Sequence, residues 1–106
     1  MTGHRASIFR EIHDERERQD AKWGEQNHLM ANPDSLWLRK HECSEARQSC
    51  DNRAARGELT WYDILKEEFC EAFAEDIPKR QREELVQVAA VAISIIECID
   101  RKAGRA

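Results

Sequence analysis

Glycine, proline and aromatic residues are scarce in this sequence. Of its 106 residues, four are glycine, two are proline and 7% are aromatic, whereas 36% are charged. This balance is typical of a helical, highly solvated protein. We therefore expect an all-α fold, built as a single domain that spans residues 1–106.

An excess of basic residues and a long apolar segment are also lacking. Lys and Arg number 17 against 21 Asp and Glu, which gives a net charge of −4 and argues against a nucleic-acid-binding surface. No apolar segment follows the basic Arg5, so we expect no secretory signal. The longest apolar run, Leu85 to Ile96, is too short to span a bilayer. We therefore expect a cytoplasmic protein that binds neither nucleic acid nor membrane.

The four cysteines are widely spaced and form no CxxC motif. Without a secretory signal, reduced thiols are the better interpretation. Cys43 and Cys50 with His41 do not match the spacing of zinc sites. Cys70 and Cys98 lie among apolar residues, which is typical of small core positions.

Hydrophobic periodicity predicts four helices, and the few glycines and prolines mark their ends. The predicted helices run from about Ala6 to Ala21, Ser35 to Ala55, Thr60 to Glu75 and Pro78 to Lys102. Gly57 is expected to cap the second helix, and Thr60 with Asp63 matches a capping box at the start of the third. An antiparallel helical bundle of about four helices is the expected architecture.

The fourth predicted helix is apolar around almost its whole circumference after Leu85. A helix of this kind is buried on all sides, but the other three helices of so small a domain cover only about half of it. We therefore expect a homodimer or homotetramer. The small residues Ala89, Ala90 and Ala92 would permit close helix approach.

The segment Lys22–His28 combines an aromatic ring, amides, a cation and an imidazole in the clearest predicted loop. Trp23 is suited to stack on a nucleobase, and Gln26 and Asn27 to hydrogen-bond its edge. Alternatively, Trp23 closes one end of the bundle and the polar side chains only form the turn.

Two pairs of oxygen-bearing side chains flank the predicted break at residues 76–78. Glu68 and Glu71 share one helix face, as do Glu84 and Gln87 on the next helix. If the chain folds back near residue 77, a rise of ~1.5 Å per residue brings both pairs to nearly the same height. The two pairs would then supply hard oxygen ligands for a divalent cation, although most helical glutamates are merely solvated.

Glu97 and Asp100 form a further pair with this spacing. They lie ~20 Å along the helix from Glu84, at ~1.5 Å per residue. We interpret them as a solvated pair at the helix end, or as part of a site that a neighbouring subunit completes.

The sequence resembles the MazG-like branch of the all-α nucleoside triphosphate pyrophosphohydrolases, whose signature is EExxE followed by ExxD on the next helix. The first half is present as Glu67-Glu68-Phe69-Cys70-Glu71, and the second as Glu84-Leu85-Val86-Gln87, in which glutamine replaces the final aspartate. Together with Lys22–His28, Leu59–Trp61 and Glu84–Ala92, these motifs are similar to a phage and bacterial subgroup of short MazG-like proteins. The resemblance covers most of the chain from Lys22 onward.

This resemblance implies hydrolysis of a (deoxy)nucleoside triphosphate to the monophosphate and pyrophosphate, in nucleotide-pool control or house-cleaning. It implies Mg²⁺ as cofactor, with Mn²⁺ as a substitute. The implied catalytic and metal-binding residues are Glu67, Glu68, Glu71, Glu84 and Gln87, of which Glu67 is the candidate proton acceptor. It also implies that the base and sugar bind beside the first helix and the following loop, where Trp23, Gln26 and Asn27 lie.

A triphosphate carries about four negative charges, so carboxylates approach it only with a metal ion between them. Lys66, Lys79, Arg80 and Arg82 are phosphate-binding candidates, or simply solvated partners of neighbouring glutamates. Gln87 keeps a carbonyl oxygen but removes one negative charge. The alternatives are therefore a catalytically weak or silent nucleotide-binding or regulatory relative, and a purely structural oligomeric bundle.

Overall fold

The computed structural model describes residues 3–104, which form four α-helices and one short 3-10 helix and contain no β-strand. The helices are α1 (Gly3–Trp23), the 3-10 helix (Pro33–Ser35), α2 (Leu36–Ala55), α3 (Trp61–Ala74) and α4 (Pro78–Lys102). The predictions of an all-α fold and of four α-helices are confirmed. Within this part of the chain, no helix has both the length and the apolar character needed to cross a bilayer.

The first helix is longer at both ends than its predicted span, Ala6 to Ala21. It ends at Gly24, which adopts a positive φ of 65° and donates its backbone N–H to the carbonyl of Asp20 at 2.7 Å. This left-handed conformation is readily accessible to glycine. The apolar pattern stops before the helix does, so the glycine marks its end better than the pattern.

The turn from α2 to α3 is fixed by local hydrogen bonds. Gly57 has a φ of 68°, and the N–H of Glu58 donates to the carbonyl of Arg53 at 2.9 Å, which closes α2 as a Schellman motif. Thr60 and Asp63 form the predicted capping box. These Thr60 bonds, with the Arg53 guanidinium 2.8 Å away, lower the pKa of the Asp63 carboxyl.

The described residues divide into two compact units. One contains residues 3–29 and 96–104, and the other contains residues 30–95. In the first unit the start of α1 contacts the end of α4, where His4 Nε2 lies 2.9 Å from Asp100 Oδ2. In this unit the Ile8 side chain is fully buried. The single domain stays a prediction.

In the second unit, α2 and α3 pack antiparallel around small side chains. The Nε of Arg39 donates to the Phe73 carbonyl at 2.7 Å near one end of the pair, and the Nε of Arg53 donates to Asp63 at the other. The core between them consists of Cys43, Ala46 and Cys70, with Ala74 packed against it. Small residues bring the two helix backbones close together.

A three-residue turn folds the first half of α4 back along α3. The Glu75 Oε1 accepts hydrogen bonds from the backbone N–H groups of Asp76 and Ile77, which orders the turn before Pro78. The Gln81 side chain then donates to the Ala72 carbonyl at 3.1 Å. The predicted fold-back near residue 77 is therefore confirmed.

Candidate metal centre

Three carboxylates of the second unit converge where α3 and α4 lie side by side. Glu68 and Glu71 come from α3 and Glu84 from α4, and one oxygen of each lies within 4.8 Å of the other two. No other group of three or more His, Cys, Asp or Glu side chains in residues 3–104 comes this close together. Three of the four side chains that the spacing and fold-back arguments predicted to converge, Glu68, Glu71 and Glu84, therefore lie together.

Two oxygens of this cluster are buried without a hydrogen-bond partner. They are Oε2 of Glu68 and Oε2 of Glu84, and no donor among residues 3–104 reaches either one. A buried carboxylate oxygen that lacks a donor is costly, at about 1–3 kcal/mol, and calls for an explanation such as a bound ion or water.

Burial and like charge act in the same direction on these two groups. Burial, with the charges of Glu71, Glu84 and Glu67, raises the pKa of the Glu68 carboxyl above its ordinary value. Burial, with the charge of Glu71, also raises the pKa of the Glu84 carboxyl. The cluster is therefore short of positive charge.

One cation contacts the cluster, and sequence analysis did not identify it. The Nε of Arg47, on α2, donates to Glu71 Oε1 at 3.1 Å, and it is the only ion pair with these three carboxylates in the part of the chain described. This hydrogen bond raises the pKa of Arg47. Arg47 lies four residues after Cys43 and three before Cys50, both buried, so helical spacing from the buried cysteines was the available signal.

Glu67 faces α2 as well. The Cys50 thiol and the Glu67 carboxylate are hydrogen-bonded, which together with burial raises the pKa of Cys50 to about 11. Glu67 is close enough to Glu68 to raise the pKa of that carboxyl, but it is not one of the three clustered carboxylates. Its assignment as proton acceptor stays a prediction.

The remaining predicted residues of α3 and α4 are exposed. Gln87 lies one turn after Glu84 and exposes its side chain. Lys66 places its Nζ 5.8 Å from the centre of the Tyr62 ring. Lys79 and Arg82 are also exposed, and no ion pair joins them to the carboxylates within residues 3–104.

The predicted nucleobase residues belong to the first unit. Trp23 ends α1 with Lys22 Nζ 4.7 Å from its ring centre. The Asn27 amide donates to Glu25 at 3.0 Å, and Gln26 Oε1 lies 3.0 Å from the His28 Nε2. Their role in binding a base stays a prediction.

Glu97 and Asp100 are not the solvated pair we predicted. Asp100 is only 8% exposed and contacts His4, while Arg5 bonds Glu97 through two nitrogens, Nε at 3.1 Å and Nη2 at 3.0 Å. The prediction was wrong because it counted along α4 alone, whereas the start of α1 supplies a partner for each acidic group.

Zinc ligation by His41, Cys43 and Cys50 receives no support. His41 is exposed and its Nε2 lies 2.6 Å from Glu45, while both cysteines are buried, free thiols.

Comparison of the chain with protein-family models, curated proteins and solved structures gives no match.

Proposed function

We propose that this protein hydrolyses a nucleoside triphosphate to the monophosphate and pyrophosphate with the help of Mg²⁺. The observation that carries the proposal is the convergence of Glu68, Glu71 and Glu84, two of which bury an oxygen without a donor. Three like charges this close need a cation, and a triphosphate needs one too.

The donor set fits a hard divalent ion. Carboxylate oxygens are the ligands that Mg²⁺ prefers, and Mn²⁺ accepts them as well. Oxygens on opposite sides of Mg²⁺ lie roughly 4 Å apart, because each metal–oxygen distance is roughly 2.0–2.1 Å, and the three carboxylate oxygens lie within 4.8 Å of one another. Glu68, Glu71 and Glu84 would hold the ion, and Gln87 would add a neutral oxygen.

The chemistry required of the protein is mostly positioning. A metal ion held there would neutralise charge on the phosphate oxygens and would position a water for attack. Glu67 would accept a proton from that water, since it lies outside the cluster but close enough to Glu68 to raise the pKa of that carboxyl. The carboxylates are held on two helices, so their geometry is set before the substrate arrives.

The direct test is pyrophosphate release from a panel of ribo- and deoxyribonucleoside triphosphates with Mg²⁺. We expect release from at least one of them and none after the metal is chelated. Absence of release across the whole panel would contradict hydrolysis.

A nucleotide-binding protein without turnover is the second candidate, because α4 offers Gln87 in place of a further carboxylate. Thermal stabilisation by a triphosphate and Mg²⁺ without pyrophosphate release would identify it. Failure of both measurements would leave the purely structural bundle.

Self-association is part of the proposal. Apolar side chains are exposed on α3 and α4, among them Tyr62, Phe69 and Val86. Tyr62 and Phe69 also line a cavity of about 980 Å³ on α2 and α3. Light scattering at micromolar concentration is expected to give a dimer or tetramer, and a sharply monomeric species would contradict this.

A further inference from the structure

We propose that Arg47 binds the substrate's phosphate groups with its terminal nitrogens while its Nε holds Glu71, an inference that rests on the proposed function. Arg47 is the one ion-pair partner of the three carboxylates within residues 3–104. It therefore stands where the phosphates of a metal-bound triphosphate would meet the protein.

The hydrogen bonds of the three arginines of α2 separate Arg47 from the other two. Arg39 donates to the carbonyls of Phe73 and Asn32 and to the Ser35 hydroxyl, so both ends of its guanidinium are occupied. Arg53 donates to Asp63 and to the Glu58 carbonyl. These two arginines hold helix ends and turns in place.

Within the part of the chain described, Arg47 donates a hydrogen bond only through its Nε. Neither terminal nitrogen has a hydrogen-bond partner among residues 3–104, and the side chain is 58% exposed. The guanidinium edge formed by the two terminal nitrogens is free and matches two oxygens of a phosphate group. The group is fixed at one end by Glu71, beside the carboxylate cluster, and is accessible at the other.

Charge arithmetic also favours this role. The three clustered carboxylates bring three negative charges and Arg47 one positive charge, so the protein alone leaves the site negative. One divalent ion compensates the remaining two charges, but a triphosphate adds about four more. Without Arg47 this total would be one unit more negative, so loss of its charge should weaken phosphate binding.

The test separates phosphate binding from simple support of Glu71. Binding of Mn²⁺ alone, and of inorganic tripolyphosphate with Mg²⁺, is measured by titration calorimetry on the full chain. In Arg47→Gln we expect tripolyphosphate to bind about 10- to 100-fold more weakly, the scale of charge-assisted hydrogen bonds. Mn²⁺ alone should bind as tightly or more tightly, because a positive charge beside Glu71 is gone.

Arg56→Gln is the matched control. Arg56 follows α2, is 61% exposed and pairs with Glu58 at 3.5 Å, so the same charge is removed away from the carboxylates. We expect both affinities to stay at the wild-type value. Arg47→Lys keeps the charge but loses the fork, so its tripolyphosphate affinity should fall between those of the wild type and Arg47→Gln, with Mn²⁺ affinity unchanged.

Three results would overturn the inference. They are unchanged tripolyphosphate affinity in Arg47→Gln, an equal fall in Arg56→Gln, and a loss of Mn²⁺ affinity as large as that of tripolyphosphate, since the last is what a residue that only supports Glu71 would give. If circular dichroism shows that Arg47→Gln does not fold, the tripolyphosphate and Mn²⁺ affinities of Arg47→Lys are compared with those of the wild type instead.

Measurements on the wild type test the proposed function separately from the role of Arg47. Binding of both probes without pyrophosphate release from triphosphates would end the hydrolysis proposal and leave the role of Arg47 standing. Absence of Mn²⁺ binding would end both.

Discussion

Two acidic pairs with the same helical spacing meet very different partners in this protein. Glu97 and Asp100 on α4 each contact a cation or imidazole of α1, Arg5 and His4. Glu68 and Glu71 on α3 instead meet a third carboxylate, and one arginine reaches the group. Both acids of the first pair have a basic partner within residues 3–104, whereas in the second pair only Glu71 has one.

This difference shows that spacing alone does not separate a structural acidic pair from a candidate ligand-binding one. Spacing only places two carboxylates on one helix face, which both pairs satisfy. What decides is the balance of charge and hydrogen-bond donors from neighbouring helices. Glu68 and Glu84 bury oxygens without a donor, which is why this cluster is the candidate cation site.

The largest expected effect is on turnover. Glu71→Gln removes the carboxylate shared by the cluster and Arg47, and we expect pyrophosphate release to fall on the order of 10²-fold or more, as when a charge-stabilising group is lost. Glu97→Gln makes the same change in the pair whose acids both have a basic partner and should leave release unchanged. Similar losses in both variants would remove the distinction between the pairs.

The next effect is on stability. Asp100→Asn replaces a buried carboxylate that contacts His4, and we expect urea unfolding to show a loss of about 1–3 kcal/mol. Glu83→Gln, at an exposed position of α4, should be close to neutral. Mn²⁺ affinity should be unchanged in both variants, and a weakened affinity in Asp100→Asn would tie this pair to the metal centre.

The smallest effect is the pH dependence of the metal-free protein. The folded-state pKa of Glu68 is raised above its ordinary value of 4.5, so the folded state binds more protons than the unfolded state above that pH. The stability that this group contributes is present at lower pH and is lost as pH rises through the folded-state pKa. Relative to Glu68→Gln, the wild type should therefore lose stability on going from pH 4.5 to neutral pH.

We expect this relative loss to stay below about 1 kcal/mol, because the side chain is partly solvated. Urea unfolding of both proteins in a chelator measures it, and Mn²⁺ should reverse it in the wild type. A stability difference between the two proteins that does not change with pH would show that the pKa of the Glu68 carboxyl is not raised in the folded state.

Local signals in the sequence predicted much of the fold. Pro78 marks the start of α4, Gly57 the end of α2, and Thr60 with Asp63 the start of α3, because caps and turns depend on neighbouring residues. Counting residues away from the turn also placed Glu71 and Glu84 at the same height, since helical rise is constant.

Contacts between distant helices could not be predicted in this way. Arg47 reaches Glu71 from 24 residues away in the sequence, and His4 reaches Asp100 from 96 residues away. Neither pair belongs to a local pattern, so the one cation of the cluster was missed and the buried aspartate was interpreted as solvated.

The central claim is that Glu68, Glu71 and Glu84 bind one divalent cation, and a crystal grown with Mn²⁺ tests it most directly through the anomalous signal of the metal. We predict a single peak within roughly 2.0–2.6 Å of an oxygen from each of the three carboxylates. Well-ordered carboxylates with no anomalous peak between them would contradict it.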